Sequence, residues 1–145
     1  MNGGASAGFG RRFAALLYDA LLVAALLMAY TFAMLPFTHG RAILPETAGA
    51  WVHPYRAGLV LVAGAYYVIN WLRSGQTLGM RAWRLRVVGA AGGPITLAAA
   101  LLRLGFGLLA WLPAGLGVLW LYVDPQRLAL HDRLSSTRVV VLARP

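Results

Sequence analysis

The sequence predicts an all-α integral membrane protein with two transmembrane helices, a third apolar helical region that is broken or re-entrant, and a small cytoplasmic β element. Three observations support this prediction. Of the 145 residues, 60% are hydrophobic and the mean hydropathy is +0.68, which exceeds what a soluble domain of this size usually carries. The apolar residues fall into runs that approach the thickness of a bilayer. Two short β-branched segments lie in polar, arginine-rich stretches.

The charge of the chain is strongly positive, and arginine alone carries it. Thirteen arginines stand against Asp19, Glu46, Asp124 and Asp132, which gives a net charge of +9. Because the arginines flank apolar segments, we expect them to contact anionic lipid headgroups and to set the topology, and we predict no nucleic-acid partner. The absence of cysteine excludes disulfides, thiolate chemistry and cysteine-based metal sites.

The first apolar run, Phe13 to Leu35, is 23 residues long and predicts helix one over about residues 12–35. It contains the carboxylate of Asp19 and ends at Pro36 without a small-x-small cleavage site, so we predict a retained span and not a signal peptide. A lone acid at this depth requires a partner, because a charge at the bilayer centre costs on the order of 2.5–3.5 kcal/mol on insertion scales.

The second apolar run, Ala57 to Leu72, has 16 residues and predicts helix two over about residues 55–72. Arg56 and Arg73 flank this run and can extend their charged ends towards water. The flanking residues thus bring the helix close to the roughly 20 residues that a hydrocarbon core requires.

The basic loop and strand that follow, about residues 73–96, predict a small β element in water. Trp83 to Val88 alternates bulky apolar residues with arginines, and Gly89 to Pro94 supplies turn residues. Thr137 to Leu142 is also rich in β-branched residues. An isolated strand leaves its backbone groups unpaired, so we predict that the two segments pair and lie on one side of the membrane.

The third apolar region, about residues 97–123, is too short for two full spans and rich in glycine and proline. We predict a helix from about Leu97 to Ala110, a break over Leu112 to Gly117, and a second short helix that ends near Tyr122. This arrangement keeps both basic regions in the cytoplasm, as the positive-inside rule favours. A single crossing stays open as the alternative, since that rule is statistical and a helix of this length can tilt.

Four stretches resemble the signatures of the RDD family of small membrane proteins, in the same order and spacing over nearly the whole chain. They are Ala7 to Asp19, Thr77 to Met80 with Leu85 to Val88, Leu101 to Arg103, and Leu130 to Val140. Two positions depart from the family pattern. Gly10 stands where a bulky aromatic residue is common, and Ser135 with Ser136 replaces a small-residue pair that contains glycine.

The resemblance implies one RDD-like membrane domain over residues 1–145, with a cytoplasmic tail at 124–145. It also implies a multi-pass protein of the bacterial cytoplasmic (inner) membrane, for which we expect both termini in the cytoplasm. Arg12, Asp19 and Asp132 carry over as candidate signature residues, with Asp124 as a further acidic position. Transport, including sodium/proton antiport, has been suggested for some members of the family.

Asp19 requires a partner inside the helix bundle, and Arg103 is the basic residue that lies within an apolar region. We therefore predict an Asp19–Arg103 ion pair whose hydrogen bonds are completed by Asn70, Gln76 or Tyr66. Two interpretations of this pair stay open. It locks helix one onto the third region, or Asp19 changes protonation or binds a cation during transport.

His131 and Asp132 are adjacent in the basic tail, where such a pair more often forms a turn or a helix cap than an acid/base site. Asp132 is predicted to pair with Arg138, Arg133 or Arg12 at the cytoplasmic surface.

No enzyme signature is present, so we predict no enzymatic activity and no cofactor. We also predict no metal site, because His39, Glu46 and His53 are spaced by seven and match no established ligand pattern. The favoured function is an ion-coupled or small-solute transporter that acts as an oligomer. The alternative is a noncatalytic scaffold or assembly factor that binds another membrane protein. We expect the partners to be the bilayer and either further copies of the chain or another membrane protein.

Overall fold

Two long helices form an antiparallel pair. The structure, a computed structural model, describes residues 6–41, 43, 49–111, 119–125 and 128–143. Helix α1 spans Phe9–Met34 and helix α2 spans Val52–Ser74, with short 3-10 turns at Leu35–Thr38 and Gly49–Trp51 between them. Tyr30, near the end of α1, stacks on Tyr55, near the start of α2, with 5.7 Å between ring centroids.

Of the described helices, one is long and apolar enough to cross a bilayer by length and composition. It is the continuous helical stretch Phe9–Thr38, with a mean hydropathy of 2.1 over its most apolar window. None of that window is buried inside the protein, so its side chains face outward along most of the helix. Such an exposed apolar surface is stable against lipid but not against water.

A short helix and a strand follow α2. The left-handed conformation of Gly75 (φ 69°) ends α2, and a Cβ atom at this position would lie 2.7 Å from the carbonyl oxygen of Val87. Helix α3, Leu78–Ala82, begins at Thr77, whose hydroxyl accepts a hydrogen bond from the N–H of Met80 at 3.2 Å.

The third apolar region begins as a helix that packs on α2. Strand β1, Leu85–Gly89, leads through a turn into helix α4, Leu97–Trp111. The guanidinium carbon of Arg103 lies 5.2 Å from the ring centroid of Trp71, which joins α4 to α2. After residues 112–118, a 3-10 turn occupies Trp120–Tyr122.

The tail returns to β1. Helix α5, Leu130–Leu134, is followed by strand β2, Thr137–Val141, which pairs antiparallel with β1. The register aligns Leu85 with Val141 and Gly89 with Thr137. On the other edge of β2, Ser6 forms a bridge with Val140, so the beginning and the end of the described chain lie together.

The buried core lies where the sheet meets the helices and consists mainly of small and branched apolar side chains. Leu85, Val87 and Val139 come from the inner face of the sheet, and Ala15 and Ala100 come from helices α1 and α4. This end of the molecule therefore holds α1, α2 and α4 against a cap formed by α3, α5 and the sheet.

The predicted element types agree with this fold, and the predicted bounds differ by a few residues. Helix α1 begins three residues earlier than expected, and α2 extends by a few residues at both ends. The paired strands and the start of α4 at Leu97 are confirmed. Helices α3 and α5 were not predicted, because their stretches of the chain were interpreted as an aqueous loop and as a cytoplasmic tail. The expected break at Leu112 to Gly117 lies outside the described residues.

Candidate functional site

A buried carboxylate on α5 holds two arginines from different helices. Asp132 is fully buried and accepts hydrogen bonds from Arg12 Nη1 on α1 and from Arg103 Nη1 on α4, each at 2.5 Å. The backbone N–H of Ala129 adds a weaker contact to Asp132 Oδ2 at 3.3 Å. Arg103 Nη1 also donates to the hydroxyl of Thr137 at 2.7 Å. We call Arg12, Arg103 and Asp132 the arginine cluster; it ties α1, α4 and the tail together.

The electrostatics of the arginine cluster favour an ionised Asp132. Burial by itself would raise the pKa of Asp132, but the guanidinium groups of Arg103 and Arg12 together hold that pKa well below its usual range. Two cations thus face one anion, and the cluster carries an excess of one positive charge.

His131 lies beside the arginine cluster with its Nε2 atom 3.4 Å from Asp132 Oδ1. Burial and the nearby charge of Arg103 lower the pKa of His131 to about 4. The imidazole is therefore neutral at physiological pH, and it adds no further positive charge to the cluster.

Asp19 occupies a second, separate site on α1 and is 3% exposed. Its carboxylate accepts hydrogen bonds from the hydroxyl of Tyr66 at 2.7 Å, the hydroxyl of Thr77 at 2.5 Å and the backbone N–H of Gly79 at 2.9 Å. No described arginine, histidine or lysine forms an ion pair with it. The negative charge of Asp19 is thus stabilised by three neutral donors from α2 and α3.

Close packing of α3 on α1 makes this second site possible. A Cβ atom at Gly79 would collide with the carbonyl oxygen of Ala15 and would lie 2.9 Å from the Asp19 carboxylate. Only glycine therefore lets the backbone N–H at this position reach the carboxylate. Thr77 contributes twice, because its hydroxyl donates to Asp19 and accepts from Met80.

A cavity of about 310 Å³ lies between the two sites. Arg12, Arg103 and His131 line one part of it and Asp19 lines another, while most of its wall is apolar. The apolar wall comes from α1, α2, α4 and the cap, and includes Leu16, Tyr67, Met80, Leu104, Leu108 and Val139. The volume is at the lower end of the range of about 300–1,000 Å³ that small-molecule sites occupy.

Comparison with known families decides the classification. A family model described as the RDD family matches residues 6–136. The chain belongs to the RDD family. No match was found among the curated proteins or among the solved structures. RDD membership and the apolar helix Phe9–Thr38 together identify a membrane protein.

The signature residues expected from the RDD resemblance are all buried, but one expected pairing is wrong. Arg103 pairs with Asp132 and not with Asp19. The reason is positional: α5 brings a carboxylate to Arg103, while Thr77 and Gly79 reach Asp19 from α3. Of the partners predicted for Asp132, Arg12 is the one that contacts it.

The secondary candidates of this RDD protein have local roles. Asp124 pairs with Arg133 Nη1 at 2.5 Å and accepts a hydrogen bond from the N–H of Leu128 at 3.0 Å. Asn70 donates to the carbonyl oxygen of Tyr66 at 2.7 Å, so it supports Asp19 only through its neighbour. Within the described ranges, no three His, Asp or Glu side chains are grouped to hold a metal ion.

Sequence reasoning missed three residues of the RDD site. Thr77 and Gly79 lie in a segment that was singled out for its family pattern but not for contact with Asp19. Trp71, which the sequence did not place at the site, is buried against Arg103 and lines the cavity. The available signal for Thr77 was its residue type, since threonine is a common residue at the N-cap of a helix.

Proposed function

We propose that this RDD protein is a small-solute carrier of the membrane, with the cavity between Asp19 and the arginine cluster as its binding site. The observation that carries the proposal is the cavity itself, because it brings charged groups from two helices, Arg12 and Asp19 on α1 and Arg103 on α4, to one apolar space. Binding sites of this type combine an apolar wall with a few polar groups that orient the ligand. Buried ionisable residues in membrane helices also commonly mark solute pathways.

The proposed topology places both termini in the cytoplasm and makes residues 97–123 turn back. The pairing of β1 with β2 supports this topology, because the chain leaves the cap at Leu97 and is back beside it at Thr137. Two basic segments then share one side of the membrane, as the positive-inside rule favours. A reporter fused after Pro145 tests this directly: activity in the cytoplasm agrees with the proposal, and activity in the periplasm contradicts it.

We propose that the carrier acts as an oligomer in the bacterial inner membrane. Helices α1, α2 and α4 of one copy enclose little space, so a complete solute pathway needs helices from further copies. The outward-facing side chains of α1 offer such a wall, with Leu21, Met28 and Phe32 more than half exposed. Crosslinking in membranes, followed by mass determination, measures the number of copies.

The flux experiment uses purified protein in vesicles and a pair of matched glycine variants. Gly107 lines the cavity, Gly105 does not, and a Cβ atom at either position meets no atom within 4 Å. We expect Gly107→Leu to fill the cavity and lower the flux of solute, and Gly105→Leu to leave it unchanged. A panel of sodium, organic cations and organic anions, read with an internal pH-sensitive dye, covers the solute classes. Wild-type flux equal to that of protein-free vesicles across the panel would refute the carrier.

A noncatalytic scaffold is the second candidate, and the exposed basic cap favours it. Arg81, Arg84 and Arg86 are exposed around α3 and β1, where they are available to a partner or to anionic headgroups. Asp19→Asn separates the two candidates. A scaffold predicts lower folded yield and recovery of a specific crosslinked partner, whereas an ion-coupled carrier predicts loss of proton-coupled flux at unchanged yield.

A further inference from the structure

The two ends of the cavity differ in how completely their polar groups are hydrogen-bonded. At the Asp19 end, three donors already engage the carboxylate oxygens. At the opposite end, Arg12 Nη2, Arg103 Nε and Trp71 Nε1 are buried and have no hydrogen-bond partner among the described residues. The side chains that line the cavity thus include unsatisfied donors at one end and a satisfied acceptor at the other.

The balance of charges in the arginine cluster also favours an anion at this end of the cavity. The arginine cluster contains two guanidinium groups and one carboxylate, both oxygens of which already receive a guanidinium N–H. The remaining positive charge is buried, since the side chains of Arg12 and Arg103 are each 6% exposed. A buried N–H group without a partner is destabilising, and more so where the group is charged. An anion that reaches these donors would recover that free energy, whereas a cation would be repelled from this end by the excess positive charge. Asp19, the carboxylate that lines the other end, already accepts three hydrogen bonds.

The wall of the cavity indicates what the anion carries. Leu16, Leu104 and Val139 contribute apolar surface, and the polar share of the lining is small. Leu108 also lines the cavity and is 64% exposed, so the cavity reaches the outer surface of the helices. An apolar group attached to the anion would therefore bury its surface beside α4, which favours binding.

We propose that this cavity binds an organic monoanion, with its anionic group at Arg12 and Arg103 and its apolar body along α4. The proposal rests on the proposed carrier for its choice of cavity, and it specifies the class of solute. Guanidinium groups suit this task because they donate several N–H groups in a fixed plane to carboxylate or phosphate oxygens. The anion reaches the cavity as a free amphiphile from water or as the headgroup of an anionic lipid.

The test measures binding and not flux, so it can fail or succeed independently of the carrier. Purified protein in a neutral detergent is titrated with octanoate, and binding is followed by tryptophan fluorescence and by thermal stability. Octanamide has the same chain without the charge, and octyltrimethylammonium carries the opposite charge. Charged hydrogen bonds contribute about 1.5–3 kcal/mol, so we expect octanoate to bind about tenfold to a hundredfold more tightly than octanamide.

Two variants locate the site without removing the arginines. We expect Gly107→Leu to weaken octanoate binding at least tenfold and Gly105→Leu to leave it within about twofold, since filling a site excludes its ligand. Equal binding by both variants would place octanoate elsewhere and overturn the proposal. Equal affinity for octanoate and octanamide, or tighter binding of the cation, would overturn the assignment of an anion.

A second titration, in lipid, distinguishes a free amphiphile from the headgroup of an anionic lipid as the ligand. The titration is repeated in nanodiscs of phosphatidylcholine with and without phosphatidylglycerol. Octanoate binding that weakens only when phosphatidylglycerol is present supports the site and identifies a lipid headgroup as an occupant. Octanoate binding that is unaffected by the lipid supports the site with a free amphiphile as its ligand. Absence of octanoate binding in detergent and in both nanodiscs contradicts the proposal. Binding without flux would leave the site intact and remove the carrier.

Discussion

The packing of α3 against α1 gives the sharpest stability prediction, because a single methyl group should disrupt it. In Gly79→Ala the added Cβ atom would meet the carbonyl oxygen of Ala15, which is backbone and cannot move aside without shifting the helix. Overpacking of this kind costs about 1–3 kcal/mol. The shift would also weaken the hydrogen bond from the residue 79 N–H to Asp19, and hydrogen bonds to charged groups contribute about 1.5–3 kcal/mol.

The higher helix propensity of alanine offsets part of this loss, by up to about 1 kcal/mol. We therefore expect Gly79→Ala to lower the free energy of unfolding by about 1.5–6 kcal/mol. The assay is reversible unfolding of the purified protein in detergent on addition of SDS, followed by circular dichroism. Gly105→Ala is the matched control, since its Cβ atom meets no atom within 4 Å, and it should be neutral or slightly stabilising. If the two variants unfold within about 0.5 kcal/mol of one another, the reasoning about α3 is refuted.

Two further predictions concern the arginine cluster. Asp132→Asn leaves two buried guanidinium groups without their anion and should lower the free energy of unfolding by about 3–5 kcal/mol in the same assay. The control Arg86→Gln, on the exposed surface, should change it by less than about 0.5 kcal/mol. Similar losses in both variants would contradict the proposed role of the arginine cluster. The pKa of His131 is lowered to about 4, so the unfolded state binds its proton first, near pH 6.5. Stability should thus be nearly full well above pH 6.5 and fall by up to about 1.4 kcal/mol per unit as the pH drops from about 6.5 to 5, and His131→Gln should abolish the slope in this window, which lies above the range where the lowered pKa of Asp132 contributes. A slope that persists in His131→Gln would refute the assignment.

Local pattern predicted most of the elements of the fold. The apolar runs predicted α1, α2 and the start of α4, because the length and composition of each run indicate a helix without any tertiary information. The pairing of the two β-branched segments followed from the need of each strand for a neighbour. Helices α3 and α5 were missed, because five residues carry too little periodicity to distinguish a short helix from a loop.

The pairing of charges was beyond sequence reasoning for a physical reason. Asp19 and Asp132 are both buried aspartates, so residue type alone does not predict which of them pairs with Arg103. That choice depends on where α5 and α3 dock, which requires three-dimensional contacts. The predicted Asp19–Arg103 pair also assumed that a buried acid needs a cation as its partner. In the structure, Tyr66, Thr77 and the N–H of Gly79 supply neutral donors instead.

The separation of Asp19 from the arginine cluster is the central claim, and a pair of double-mutant cycles tests it most directly. Arg103→Gln is combined with Asp132→Asn in one cycle and with Asp19→Asn in the other, and the free energy of unfolding is measured for every variant. Arg103 and Asp132 share a hydrogen bond and should show a coupling free energy of about 1–3 kcal/mol. Arg103 and Asp19 share no hydrogen-bond partner among the described residues and should be additive within about 0.5 kcal/mol. A larger coupling of Arg103 to Asp19 than to Asp132 would contradict the account.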